Sequence, residues 1–321
     1  MHKTSGRWKY GLFLALITSL LWGVLPIALV GLLKHLDSST ITWFRFVFAL
    51  VLLLSYLIYA KKLPPKKTLN NKFLLLLLAI ATIGLLSNYI LYMYGLEYST
   101  PESAQLMIQV APMLLLVGSL IIFKESFSIW QGFGFIAFVV GLILFFNHRF
   151  EELLAFENTY SLGIFLIFIA AILWAVYALL QKQLLKYLSS EQIMMIIFAC
   201  GAIVFLPISS PLALLELDQL GWCLLLFCGA NTLIAYGAFA ESLEHWEASR
   251  VSATLAITSL ITLFFMMLTS YYFPDYIQTE NINNLSIFGA ILVVAGSAVV
   301  ALVKTNKSSA SELGLSESET N

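Results

Sequence analysis

Apolar residues in this chain come in unbroken runs of bilayer-spanning length, separated by short polar or charged segments. The runs are Tyr10–Leu33, Thr40–Ala60, Phe73–Tyr94, Pro101–Phe123 and Ile129–Phe146. A polar, acidic connection follows at Asn147–Tyr160. Five more runs cover Ser161–Leu184, Glu191–Pro207, Gln219–Ala240, Ala248–Tyr272 and Leu285–Val303. About twenty apolar residues suffice to cross a hydrocarbon core as a helix. The pattern therefore predicts an all-α integral membrane protein with ten transmembrane helices. The first run exceeds the roughly 7–15 apolar residues of a signal-peptide core and has no convincing cleavage site after it, so it is expected to stay as a span. The tail from Lys304 is rich in Ser and Glu, has little to bury, and is expected to be disordered.

The fourth run is the least uniform. It opens at Ser99-Thr100-Pro101-Glu102, with proline where the first helical turn needs no N–H, and closes at Lys124-Glu125. Gln105, Gln109 and Pro112 lie inside it. Such residues are costly in lipid unless they face protein or a water-filled cavity. One face of this helix is expected to turn toward a polar interior.

Composition agrees with the pattern. Hydrophobic residues make up 60% and charged residues 11% of the 321, against about a quarter charged in soluble domains. The charges are segregated. With the amino terminus cytoplasmic, fourteen of the 17 Lys and Arg fall on inner segments, Lys34 and Arg149 fall outside, and Arg45 lies within a span. The positive-inside rule predicts this bias, and both termini inside require an even number of spans. Cys200, Cys223 and Cys228 lie in apolar runs, spaced for neither a disulfide framework nor a metal site, and read as small hydrophobes.

The chain also matches itself. A shift of 152 residues pairs Leu21-Trp22 with Leu173-Trp174, Leu33-Lys34 with Leu185-Lys186, and Leu36 and Ser38 with Leu188 and Ser190. A shift of 145 pairs Glu102 and Ala104 with Glu247 and Ser249, and a shift of 155 pairs Gly134 and Gly141 with Gly289 and Gly296. Five spans per unit force the second unit into the membrane the opposite way up. This predicts the inverted-repeat plan of secondary transporters, with a substrate site between the repeats near the midplane. The expected segments are a cytoplasmic start (1–9), a first repeat (10–146), an outer connection (147–160), a second repeat (161–303) and a cytoplasmic tail (304–321).

Leu21-Trp22-Gly23, Pro26, Arg45, the stretch Glu102–Glu125 with Pro112, and Gly132/Gly134 with Gly141 together resemble an EamA-type repeat of the drug/metabolite transporter superfamily. Leu173-Trp174, Ala235-Tyr236, Ala248–Thr258 and Gly289 with Gly296 look like a second copy. The resemblance covers about residues 10–303. It implies ten helices around a central cavity and transport of small metabolites by alternating access. Two departures stand out: Ile257 where the first repeat has Pro112, and a long final outer loop at Pro274–Asn284. Both argue against a symmetric pair of gates.

The candidate substrate-binding residues are polar or aromatic groups deep in the spans. Trp22 and Trp174 sit near mid-helix, away from the interfaces where Trp usually anchors. They form either aromatic walls around a substrate or helix-packing contacts. Asn88, Gln109 and Asn231 are mid-span amides, suited to a substrate carboxylate or amine and equally to helix–helix hydrogen bonds. Tyr92, Tyr177 and Tyr236 are weaker candidates of the same kind. Arg45 is expected at an outer vestibule, either drawing in an anionic or zwitterionic substrate or pairing with Glu97 or Glu102. Lys124 and Glu125 read as an inner stop and gate contact. Glu241, Glu244, His245 and Glu247 read as the solvated loop between spans eight and nine, and no metal site is expected there.

There is no G-x-x-x-x-G-K-[ST] loop, H-E-x-x-H motif, nucleophile elbow or dinucleotide fingerprint, so neither ATP-driven pumping nor an enzyme is indicated. No Asp or Glu falls at the centre of a span, which favours facilitated efflux or exchange over proton antiport through a buried acid. The expected function is a multi-pass permease of the inner or plasma membrane, exporting or exchanging amino acids or related amphipathic compounds. Direction and substrate class follow from the resemblance. A carrier of nucleotide sugars or cationic drugs, and a non-transporting receptor or scaffold, are the alternatives. The expected partners are a small-molecule substrate and the lipid bilayer. No cofactor and no nucleic acid are expected, and a homodimer is left open.

Overall fold

The computed structural model describes residues 5–65, 71–123, 128–154, 158–274, 276 and 282–302. Lys124, Glu125 and the tail from Lys304 lie outside the described residues. The first half comprises α1 (Trp8–Leu33), α2 (Ser38–Tyr59), α3 (Lys72–Glu97), α4 (Pro101–Met107), α5 (Val110–Phe123) and α6 (Ile129–Phe145). A short helix, α7 (Phe150–Leu154), lies within the connection that the sequence suggests is a simple loop. The second half comprises α8 (Thr159–Leu184), α9 (Ser190–Phe205), α10 (Gln219–His245), α11 (Ala248–Leu255), α12 (Ile257–Tyr272) and α13 (Asn284–Leu302). Among the described residues, nine stretches are long and apolar enough to cross a membrane. The tenth expected span falls on α13, a shorter apolar helix. The protein is a multi-pass membrane protein.

Local chemistry starts these helices where they start. Asp37 accepts from the backbone N–H of Thr40 at 2.9 Å, and Asn158 from that of Ser161 at 2.7 Å. Ser128 with Gln131, and Ser189 with Gln192, form reciprocal capping boxes. Each satisfies backbone donors that a helix start leaves unpaired. Large side chains such as Phe13, Leu76, Ile83, Ile136 and Phe165 point outward. In a bilayer these faces meet lipid.

The two halves interleave. α1 packs on α10, α3 on α8, α2 on α9 and α6 on α13, so each principal contact joins one half to the other. All four pairs run antiparallel. Thr18 reaches Ala235 while Tyr10 reaches Glu241, and Asn88 reaches Ala170. On α2 and α9, Phe46 packs on Phe198 and Lys62 accepts from Gln192. The glycines of α6 and α13 meet face to face. A Cβ at 134 would come within 2.6 Å of the Gly296 carbonyl oxygen, and one at 289 within 2.6 Å of that of Gly141. Small residues let these backbones touch, the main source of helix association in lipid, where burial supplies little drive.

Two spans are interrupted. The fourth breaks between α4 and α5 at Ile108-Gln109. Pro112 explains it, since it offers no N–H to the Ile108 carbonyl, which accepts instead from Ala111 at 2.9 Å. The ninth breaks at Ala256 without a proline, between α11 and α12. Ile257 in place of Pro112 argues in the sequence against a symmetric pair of gates, yet both spans are interrupted.

Candidate functional site

A central cavity of about 90 Å³ lies between the halves. Its aromatic wall is made by Trp22 (α1), Tyr89 and Tyr92 (α3), Trp174 (α8) and Tyr236 (α10). Its polar groups are Arg45 (α2), Asn88 (α3), Gln105 (α4), Gln109 at the first break, and Thr258 (α12). Leu25, Ile108, Pro112 and Leu255 complete much of the apolar remainder.

Trp22 and Trp174 lie 5.8 Å apart in a T-shaped contact, and Trp22 also meets Tyr236 at 4.9 Å. Tyr89 and Tyr236, one on each half, are 5.3 Å apart. The two edge-to-face contacts of Trp22 suit the ring quadrupoles, and with the tilted Tyr89–Tyr236 pair they hold the walls in place. Tyr92 donates its hydroxyl to Gln105 at 3.4 Å. Gln109 donates to the carbonyls of Leu255 and Ala256 at 3.2 and 3.3 Å. The amide of one broken span thus satisfies the carbonyls freed at the break in the other. An inserted side chain is a recognised cause of such a break, so α11 and α12 need no proline. Gln109→Leu should leave the Leu255 carbonyl without this donor while Ala256 keeps Ser259 Oγ at 3.0 Å, at about 1–3 kcal/mol. A lowered thermal midpoint of the purified protein would show this; an unchanged midpoint would mean the break does not rest on Gln109.

Arg45 is only 3% exposed and sits in the cavity wall, not at an outer vestibule. Its Nε donates to Thr232 at 2.9 Å, and its guanidinium lies 4.6 Å from the Tyr89 ring centroid. Neither Glu97 nor Glu102 pairs with it. Glu97 instead accepts from Ser38 at 3.0 Å, while Glu102 is buried in the first turn of α4 and does not line the cavity.

The other sequence candidates separate by geometry. Asn88 lines the cavity while donating to the Ala170 carbonyl at 2.9 Å, so it also ties α3 to α8. Asn231 lies outside the lining and donates to the Leu21 carbonyl at 2.6 Å, which makes it a tie between α10 and α1. Tyr177 is fully buried outside the lining, with its hydroxyl on the Met194 sulfur at 3.3 Å. The segment 241–245 is not a solvated loop. It continues α10, and His245 is buried beside Ser5, whose Oγ is 2.7 Å from Nδ1. Glu241, Glu244 and His245 instead edge a second, polar hollow at the end of the bundle that carries Lys61, Lys62 and Glu191.

Sequence reasoning missed Tyr89, Thr232 and Thr258. Tyr89 neighbours Asn88 and would follow once that helix face was known. Thr258 and Thr232 carry no signal of their own, because a threonine in an apolar span commonly bonds its own helix, as Thr232 does to Cys228 at 3.0 Å.

A model of the EamA-like transporter family matches residues 9–147 and again residues 161–302. The chain belongs to the EamA-like transporter family. That family lies within the drug/metabolite transporter superfamily. The uncharacterized inner membrane transporter YhbE of Escherichia coli (strain K12) is 37% identical over 292 residues, covering 91% of each chain. An uncharacterized transporter of Haemophilus influenzae is 36% identical, over 91% of this chain and 94% of its own. The uncharacterized transporter YyaM of Bacillus subtilis is 26% identical, over 84% and 87%. A solved crystal structure shares the fold at a TM-score of 0.66 and 13% identity, covering 92% of this chain and 98% of that one. As an EamA-family member with inner-membrane relatives, the protein is a membrane transporter of the inner membrane.

Proposed function

We propose that this EamA-family protein is a secondary transporter of small metabolites, working by alternating access in efflux or exchange of amino acids or related amphipathic compounds. The observation that carries the reading is the central cavity itself. It lies where the halves meet, is walled by the paired Trp22 and Trp174, and holds amides and one cation. The antiparallel, reciprocal packing of α1 on α10 and α3 on α8 supports two five-span repeats of opposite orientation. The broken fourth and ninth spans beside the cavity fit the discontinuous helices that line transporter sites. Arg45 is the one charged group among the described lining residues, which weighs against multiply charged substrates such as nucleotide sugars.

The test loads purified protein into liposomes with a mixed pool of amino acids and other metabolites. Selective loss relative to empty liposomes is expected. No selective loss with folded protein, in either gradient direction, would overturn the reading. No carboxylate lies among the described lining residues, so flux should survive a protonophore. Collapse of flux when the proton gradient alone is removed would contradict uncoupled exchange.

A further inference from the structure

We infer that Arg45 is the specificity group of the cavity and that it selects a substrate bearing a single carboxylate on an apolar body. The inference rests on the transporter reading and names the substrate class of that same cavity. Three observations converge on it. First, the Arg45 guanidinium borders the cavity while 97% of the residue is shielded, and among the described residues no carboxylate lies within ion-pair distance of it. A buried arginine serving packing alone is ordinarily neutralised by an acid. Second, Thr232 occupies its Nε, and the Tyr89 ring lies against the guanidinium. Both fix the planar group without cancelling its charge. The remaining N–H groups form the fork that fits a carboxylate through two parallel hydrogen bonds. Third, the position 152 residues along, which the internal repeat places opposite Arg45, is Ile197. The cavity is therefore cationic on one side only.

The rest of the lining sets what the carboxylate is attached to. Trp22, Trp174 and Tyr236 offer ring surface to an apolar body. The Thr258 hydroxyl, in a residue 2% exposed, has no protein partner among the described residues and borders the same space. One cation balances one carboxylate, whereas a phosphate monoester would bring a second charge with nothing to neutralise it.

The experiment measures binding to the full-length purified protein by tryptophan fluorescence, with 4-methylpentanoate and 3-phenylpropanoate each set against its primary amide and its alcohol. The acids should bind roughly 10- to 100-fold more tightly, the size of a lost hydrogen bond to a charged group. Arg45→Gln should bring acid and amide to the same affinity. Arg45→Lys should keep the order and lose part of the margin, because a point charge replaces the fork. If Arg45→Gln fails to fold, Arg45→Lys decides: a margin equal to that of the wild type overturns the assignment of Arg45. Liposome flux of the mixed pool, run in parallel, separates the two levels of failure. Flux without preference for carboxylates, or tighter binding of a phosphate monoester, overturns the assignment of Arg45 and leaves the transporter reading standing. Absence of any flux and any binding overturns both.

Discussion

Gly296→Val is expected to deplete the folded protein, whereas Gly237→Ala, also in a membrane helix, should be silent. A Cβ at 296 would lie 2.5 Å from the Gly134 carbonyl oxygen and 2.6 Å from the Phe138 nitrogen. Both obstacles are backbone, so no side chain can rotate away and α6 and α13 must separate. Overpacking a close-packed interior costs about 1–3 kcal/mol when side chains can adjust, so the cost here should exceed that range. The same separation would break nearby ties, such as the hydrogen bond from Gln131 to the Val300 carbonyl at 2.9 Å. At Gly237 nothing lies within 4 Å of an added Cβ, and alanine is the better helix former. The check is the recovery and thermal midpoint of both variants by size-exclusion chromatography in detergent. Equal midpoints would mean that the α6–α13 contact is not a structural seam.

Trp22→Ala is expected to abolish selective transport, with Trp22→Phe retaining a measurable part. Trp22 joins the two halves at the cavity, contacting Trp174, Tyr236 and Phe239 at 5.8, 4.9 and 5.6 Å. Each aromatic contact contributes about 0.5–1.5 kcal/mol beyond burial. Truncating a packed Trp costs about 3–5 kcal/mol. Phenylalanine keeps ring surface and removes the indole's reach. Flux per folded molecule from loaded liposomes separates a functional loss from a folding loss. If Trp22→Ala folds and transports at the wild-type rate, the aromatic wall is packing and not recognition.

Much of this protein was legible in its sequence because lipid is a strict solvent. A bilayer demands runs of about twenty apolar residues with internally satisfied backbones, so helix positions follow from hydropathy with small errors at the ends. Glycine spacing was equally readable: Gly134 and Gly141 lie against Gly296 and Gly289 because only small residues permit that approach. Trp22 and Trp174, matched by a shift of the chain, do meet. Hydropathy misled at 241–245, where acidic residues suggested water. There the helix continues and His245 is covered by Ser5, a contact across the chain that no local pattern encodes.

The sequence by itself determined the class, the span positions, the duplicated halves and the polar and aromatic residues set deep in lipid. Periodicity and composition are local, and the membrane enforces them. Only the tertiary structure decided which of those residues share a space. Asn88 and Asn231 look alike along the chain, yet one lines the cavity and the other ties α10 to the Leu21 carbonyl. Arg45 reads as an outer charge in search of an acid, yet it turns inward onto Thr232 and Tyr89. The break at Ala256 has no proline to announce it, and the amide that meets its carbonyl is Gln109, 147 residues away along the chain. In each case the deciding partner sits on another helix, and rotation about the helix axis, which sequence leaves open, selects it.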